Sequence, residues 1–344
     1  MNKPVFFFIA LFFNLGIFAQ NSLKLTEGKP VFVYSLPKTE FCFELEIEKT
    51  TQKQGQFYQF SERYLATNKV ITEDKIAYRL KSINVKQQAV PDPKRTYQIE
   101  VKAGNFLTVD KSGLLCGVNI PFKTESIEKL IVVNKKEADI EQKTLLPLSE
   151  EFLMAGSTAK LAEGAAKQIY RIRESRMTLL SGDMDQLPSD GKAFESMLKG
   201  LDKSEQDLTE LFVGKQTIET MKHTIFLTPD SAFTKKVLFR LSALRGLVDA
   251  TDLGGSPYFI SLKSDEIQVV APDPKSKPEE TSINTILPAS TKVTITDGIK
   301  TYYNGVFFIP QFGVIIPVSE KTFNLPKVKI KIDNLTGRLL GVEK

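Results

Sequence analysis

Apolar and polar positions alternate with a period of two toward both ends of the chain. Over residues 30–48 the apolar positions are Val31 and Val33, then Phe41, Phe43, Leu45 and Ile47, and residues 77–120 repeat the pattern with Ile99 and Val101. A two-residue period puts successive side chains on opposite faces of a sheet, so both segments are expected to be strands with one buried face. Cys42 falls on the other face, with Glu44, Glu46 and Glu48. Between them, the spacing over Gln56 to Leu65 predicts one short helix. Pro91-Asp92-Pro93-Lys94 predicts a turn, because each proline fixes φ and offers no N–H to a ladder. Asp110-Lys111-Ser112-Gly113 predicts a hairpin turn before Leu114.

From Ser157 to Leu180 the period lengthens to that of a helix. Leu161, Ala165, Ile169, Ile172 and Leu179 share one stripe, with Ser157 as N-cap and Gly182 just past the end. A second helix is expected from Asp190 to Phe212, its apolar face built from Phe194, Met197, Leu198, Leu201, Leu208 and Phe212. Gly182 to Pro188 joins the two, and so short a connection implies an antiparallel hairpin. Alternation returns after Gly214, with strands expected at 217–227, 236–241, 257–262, 266–271, 291–296, 302–309, 312–318, 326–332 and 338–343. Prolines punctuate a polar connection over 272–289. The fold class is therefore α+β, mostly β: two β-rich units, 20–148 and 216–344, flank an antiparallel two-helix hairpin at 149–215. An internal echo relates the units. Thr108 to Val118 resembles Lys331 to Val342 with one inserted residue, and both are expected to be hairpins turning on Asp and Gly.

Two positions break the amphipathic pattern. At about 100° per residue, Arg176 falls inside the apolar stripe of the first helix, and Glu205 falls inside that of the second. A charged side chain is seldom buried without a partner. A hairpin pivoting near residue 185 sets position 176 against 195, which predicts an Arg176–Glu195 pair and leaves Glu205 to face Tyr170 or a donor from a β unit. The functional counterpart is a ligand site in which Tyr170, Arg173 and Arg176 hold an anionic group.

Composition narrows the chemistry. The 344 residues include 46 Lys+Arg, 41 Asp+Glu, one His, two Cys, 24 Phe and no Trp. A single histidine, His223, excludes a His-rich metal site, and no cofactor or metal is expected. A formal charge of +5 is spread among interleaved acids with no long basic block, which excludes nucleic-acid binding as a leading reading. At the start, Lys3 precedes an apolar run from Val5 to Phe18 and then Ala19-Gln20, the layout of a secretory signal over residues 1–19. The run is too short to span a bilayer, so the mature chain is expected to be exported to the periplasm or outer envelope with no integral membrane span. Export permits a Cys42–Cys116 bridge, although two cysteines fix no spacing pattern and independent thiols stay open.

Other motifs read as structure. Ser157-Thr158-Ala159-Lys160 has the Ser-x-x-Lys spacing of penicillin-recognising serine enzymes, and Ser282-Ile283-Asn284 offers a Ser-x-Asn, but no Lys-Thr-Gly occurs and Ser157 suits a helix cap. Asp249-Ala250-Thr251-Asp252 lacks the oxygens that calcium requires and reads as a capped turn. Asp183, Asp185 and Asp190 read as helix caps.

Val33-Tyr34-Ser35-Leu36-Pro37-Lys38-Thr39, Gln59 to Leu65, Lys167 to Arg176, Leu187-Pro188-Ser189-Asp190-Gly191 and Gln311-Phe312-Gly313-Val314 together resemble a family of exported proteins of Gram-negative bacteria catalogued only as a domain of unknown function. Pro317-Val318-Ser319 departs from that pattern, which closes on a Pro-Leu-Pro-like turn. The resemblance spans nearly the whole mature chain and brings no catalytic residue with it. Residues and resemblance lead to an exported cell-envelope protein that works as a non-enzymatic binding or assembly module, with an envelope protein or a glycan as partner. The alternative is a carboxylate-dependent hydrolase of envelope or extracellular polymers, which needs a cleft holding two carboxyl groups about 5–9.5 Å apart.

Overall fold

A computed structural model describes residues 31–102, 104–121, 154, 156–181, 190–268, 282–325 and 327–343. The expected signal, the Gly182–Pro188 connection, Asp183 and Asp185 lie outside the described residues. In chain order the elements are β1 (Val31–Lys53), a 3-10 turn (Tyr58–Phe60), α1 (Ser61–Leu65), β2 (Lys75–Glu100), β3 (Leu107–Val109), β4 (Leu115–Val118), α2 (Thr158–Ser181) and α3 (Gly191–Val213). They continue with β5 (Lys215–Leu227), β6 (Phe233–Ser242), β7 (Gly246–Val248), β8 (Ser256–Ser264), β9 (Ser282–Thr296), β10 (Thr301–Ser319), α4 (Glu320–Phe323), β11 (Lys329–Ile332) and β12 (Leu339–Glu343). The fold is α+β and mostly β, and no helix among the described residues is long and apolar enough to cross a membrane.

The strands form three antiparallel sheets, in the orders β2-β1-β5, β10-β9-β8-β6-β7 and β12-β11-β4-β3. Strands on either side of the helices are thus neighbours in two of them: β5 pairs with β1, and β11 pairs with β4. The echoed segments are the hairpins β3–β4 and β11–β12, side by side in one sheet. Each turns on an aspartate that accepts backbone N–H groups, Asp110 from Ser112 and Leu114 and Asp333 from Leu335, and each has a glycine at positive φ, Gly113 at 86° and Gly337 at 71°. Each also carries a register shift just before the turn.

Several local expectations are corrected. Pro91–Lys94 is not a turn but part of β2. The β1–β2 register passes from Ser35↔Thr96 to Pro37↔Pro91, so residues 92–95 bulge out and the prolines' missing N–H groups cost the ladder little. The strands expected at 302–309 and 312–318 are one, β10, with residues 310–313 looped out of its pairing to β9. Residues 282–289, expected in the polar connection, begin β9 and bury Ile283, Ile286 and Ala289. No strand forms over 265–268, and 269–271 lie outside the described residues.

The length of β1 serves more than one core. Tyr34 and Leu36 belong to a cluster with Ile99, Leu115, Ile286, Phe323 and Ile330. Further along, Phe41, Phe43, Leu45 and Ile47 face Phe239, Ile260, Val293, Ile295 and Ile309 between the three- and five-stranded sheets. The third cluster, under the helices, starts just past the strand at Phe57. Full burial of such side chains contributes about 1.5–3 kcal/mol each, which fixes the strand's register over its length.

Tyr34 is 1% exposed, and its hydroxyl oxygen accepts the Asn284 N–H at 2.8 Å. Burial pushes its pKa up to about 12. The native state therefore holds the phenol proton more tightly than the unfolded chain does, so this contribution is intact below about pH 10 and is lost as pH rises toward 12. Tyr34→Phe is expected to flatten the fall in stability over that window, relative to wild type, in urea titrations at stepped alkaline pH. It should also cost about 1–2 kcal/mol at neutral pH by leaving the Asn284 N–H unpaired.

Candidate functional site

The helices are set by their caps and small residues. Ser157 caps α2, its Oγ accepting the Lys160 N–H at 3.4 Å, and Asp190 caps α3, accepting from the Lys192 N–H at 3.1 Å. Ala162, Ala165 and Ala166 bring α2 close to its neighbours, and Ile169, Ile172, Leu208 and Phe212 complete the cluster. Phe57 packs on Phe212 with ring centroids 5.5 Å apart. Next to it, a Cβ on Gly55 would stand 2.6 Å from the Leu211 carbonyl oxygen, so only glycine lets the chain lie this close to the end of α3.

On the outer side of the pair, polar groups converge. Arg173 Nε donates to Glu205 Oε1 at 2.6 Å, and Arg176 Nη1 donates to Asp202 Oδ1 at 2.7 Å and to Glu205 Oε2 at 3.2 Å. The Arg173 guanidinium lies 5.6 Å from the centre of the Tyr170 ring, and the Tyr170 hydroxyl donates to the Tyr64 carbonyl at 2.7 Å. Arg173, Arg176, Asp202 and Glu205 border an open groove of about 350 Å³, lined also by Gln206, Thr209, Glu210 and Val213. Tyr170 and Arg173 thus stand together on α2, and Arg173 and Arg176 share Glu205.

The expected Arg176–Glu195 pair does not form. Glu195 bonds Lys199 one turn further along its own helix at 2.7 Å, and Arg176 takes Asp202 and Glu205. Glu205 in turn faces the two arginines rather than Tyr170 or a β unit. The contacts 173–205 and 176–202 place the helices antiparallel about a pivot near 189, one turn beyond the symmetric pivot at 185, because Leu208 and Phe212 must reach the alanine face of α2. The lining residues Asp202, Gln206 and Thr209 were missed. Their spacing of three and four was visible in the sequence, but it marks any exposed helical face.

The remaining candidates are structural. Asp252 bonds Arg245 and Asp249 accepts from Thr251, which closes a turn. Ser282 and Asn284 lie in β9, not in a connection. His223 sits on β5 opposite Leu45. Cys42 and Cys116 are both free, and burial pushes both thiols up, Cys116 to about 11. Among the described residues no group of three His, Cys, Asp or Glu is placed to hold a metal ion.

Residues 31–340 match the model of a family described as Domain of unknown function (DUF4831). The chain belongs to the DUF4831 family. Neither the curated proteins nor the solved structures yield a match to it. Within this DUF4831 chain, four of the segments that carried the resemblance meet in two pairs. Tyr64 meets Tyr170, and Gln311 hydrogen-bonds to Thr39 through both its carboxamide oxygen and nitrogen.

Proposed function

We propose that the protein is exported and serves in the cell envelope as a non-enzymatic binding or assembly module, with the 149–215 hairpin presenting the groove to a protein or glycan partner. The apolar run from Val5 to Phe18 supports export. The observation that carries the reading is the groove itself: two guanidinium groups are held in place by Glu205 and Asp202, the Arg173 one also lies over the Tyr170 ring, and amide and hydroxyl groups are at hand. Each guanidinium has five N–H donors in a fixed fork, and the described bonds use few of them, so donors remain for carboxylates, phosphates or sugar hydroxyls.

The hydrolase reading draws on the same place, since Asp202 and Glu205 both lie within bonding distance of one nitrogen of Arg176. Both carboxylates, however, are engaged by guanidinium donors, Glu205 by two of them. The arrangement favours binding over proton transfer.

With a photo-crosslinking amino acid at Thr209, cells are expected to yield one discrete adduct. Arg173→Ala/Arg176→Ala should reduce it at least about tenfold, since hydrogen bonds to charged groups are worth about 1.5–3 kcal/mol. Stability should also fall, by about 1–3 kcal/mol, because Glu205 is only 17% exposed and loses both of its arginine donors. A monomer that forms no adduct would sink the proposal. Release of soluble fragments from envelope glycan, abolished by Glu205→Gln, would establish the hydrolase instead.

A further inference from the structure

We infer that the outer face of the five-stranded sheet is a docking surface for an anionic lipid bilayer. The pairing registers put Lys263 directly opposite Lys292, and Lys292 directly opposite Val306. Directly opposed side chains in an antiparallel pair share a face with Cβ atoms about 4.5–5.5 Å apart, and like charges there are unfavourable. Lys263 and Lys292 are exposed and have no carboxylate partner among the described residues.

Lys235 joins them from β6. It has a left-handed φ of 59°, its N–H donates to Ser261 Oγ at 3.0 Å, and its ammonium lies 5.2 Å from the centre of the Phe259 ring. A non-glycine residue in this conformation is uncommon, and here the irregularity in β6 turns a cation onto the sheet face. The edge strand adds exposed apolar groups, Val306 at 62% and Phe308 at 50%.

The outer face of the three-stranded sheet makes the contrast. Three of its glutamates meet cations, Glu44 with Lys86 at 2.5 Å, Glu48 with Arg79 at 2.6 Å and Glu46 with Lys222 at 3.7 Å, while Glu40 accepts from Gln88 and Thr228. One sheet neutralises its outer charges, and the other sets lysines together beside apolar side chains. The acids nearest in sequence lie outside the strands: Asp265 and Glu266 past the end of β8, Asp297 past the end of β9, and Asp230, before β6, paired with Lys38.

A bilayer fits this pattern better than an acidic polysaccharide does. Lysines meet phosphate headgroups, while Val306 and Phe308 can enter the boundary between headgroups and acyl chains, a gain that a hydrophilic polymer does not offer. The broad face of a sheet can also meet a membrane plane at several points at once. This surface is separate from the hairpin groove, so either proposal can fail without the other.

The test is sedimentation of the full chain with vesicles of phosphatidylglycerol and phosphatidylcholine, and with vesicles of phosphatidylcholine alone. Binding is expected only to the anionic vesicles and should fall as salt is raised. Lys235→Ala/Lys263→Ala/Lys292→Ala should lower the partition coefficient about a hundredfold, on the order of fivefold per lysine. Phe308→Ser should weaken binding further at high salt, where the apolar contribution remains. All four positions are exposed, and circular dichroism will show whether the variants keep the fold. Arg173→Ala/Arg176→Ala should bind vesicles like wild type. Failure to bind anionic vesicles, binding undiminished in the triple lysine variant, or retention by a soluble acidic polysaccharide in place of vesicles would each overturn the inference.

Discussion

Gln311→Leu is expected to lower the free energy of unfolding by about 3–5 kcal/mol, read from urea denaturation. The Gln311 carboxamide accepts the Thr39 N–H at 2.8 Å and donates to the Thr39 carbonyl and to the Pro229 carbonyl, each at 3.0 Å. Pairing between β1 and β5 begins only at Phe41↔Leu227, so at Thr39 the side chain takes the place of a missing strand. Thr39 is fully buried and Pro229 is buried as well. Leucine would leave three main-chain groups without partners, where water has little access. A loss below about 1 kcal/mol would show that water replaces the carboxamide. The looped-out segment that delivers Gln311 depends on Gly313, where a Cβ would stand 2.2 Å from the Leu287 carbonyl oxygen.

Phe212→Ala is expected to cost about 3–5 kcal/mol, with the damage concentrated in the helices. Phe212 is fully buried against Phe57 and belongs to the cluster that joins α3 to α2 and to the α1 region. The other buried α3 side chain, Leu208, cannot fill the space of a phenyl ring. Amides of α2 and α3 should then exchange with solvent faster, while those in the middle of β1 and β9 keep their protection. Uniform loss of protection across helices and sheets would show instead that the hairpin and the β body unfold as one unit. Because Arg173 and Glu205 lie on the two helices that Phe212 holds together, the same variant should also lose the adduct at Thr209.

The candidate site was half legible. Tyr170, Arg173 and Arg176 recur at intervals of three on one helix, and an arginine inside an apolar stripe announces that it needs a partner. Which partner it takes depends on how far one helix slides along the other, and a slide of about two turns exchanges Glu195 for Asp202. Helical periodicity repeats every turn, so it gives the face and not the offset. The misread prolines have a similar cause. Pro91 and Pro93 forbid regular pairing at their own positions, but a bulge satisfies that restriction as well as a turn does. Which of the two forms depends on whether β1 continues alongside, and it does.

By itself the sequence determined most of the elements and their inward faces: alternating strands, two capped amphipathic helices, and aspartate–glycine hairpins, because periodicity and turn chemistry are local properties. Only the tertiary structure decided which strands are neighbours. That β5 lies beside β1, that β11 extends the sheet of β4, and that two lysines stand opposed on one face while glutamates find cations on another, all follow from burying several apolar faces at once along a single long strand. The free energy of that burial belongs to the assembled chain, and no local window of sequence contains it.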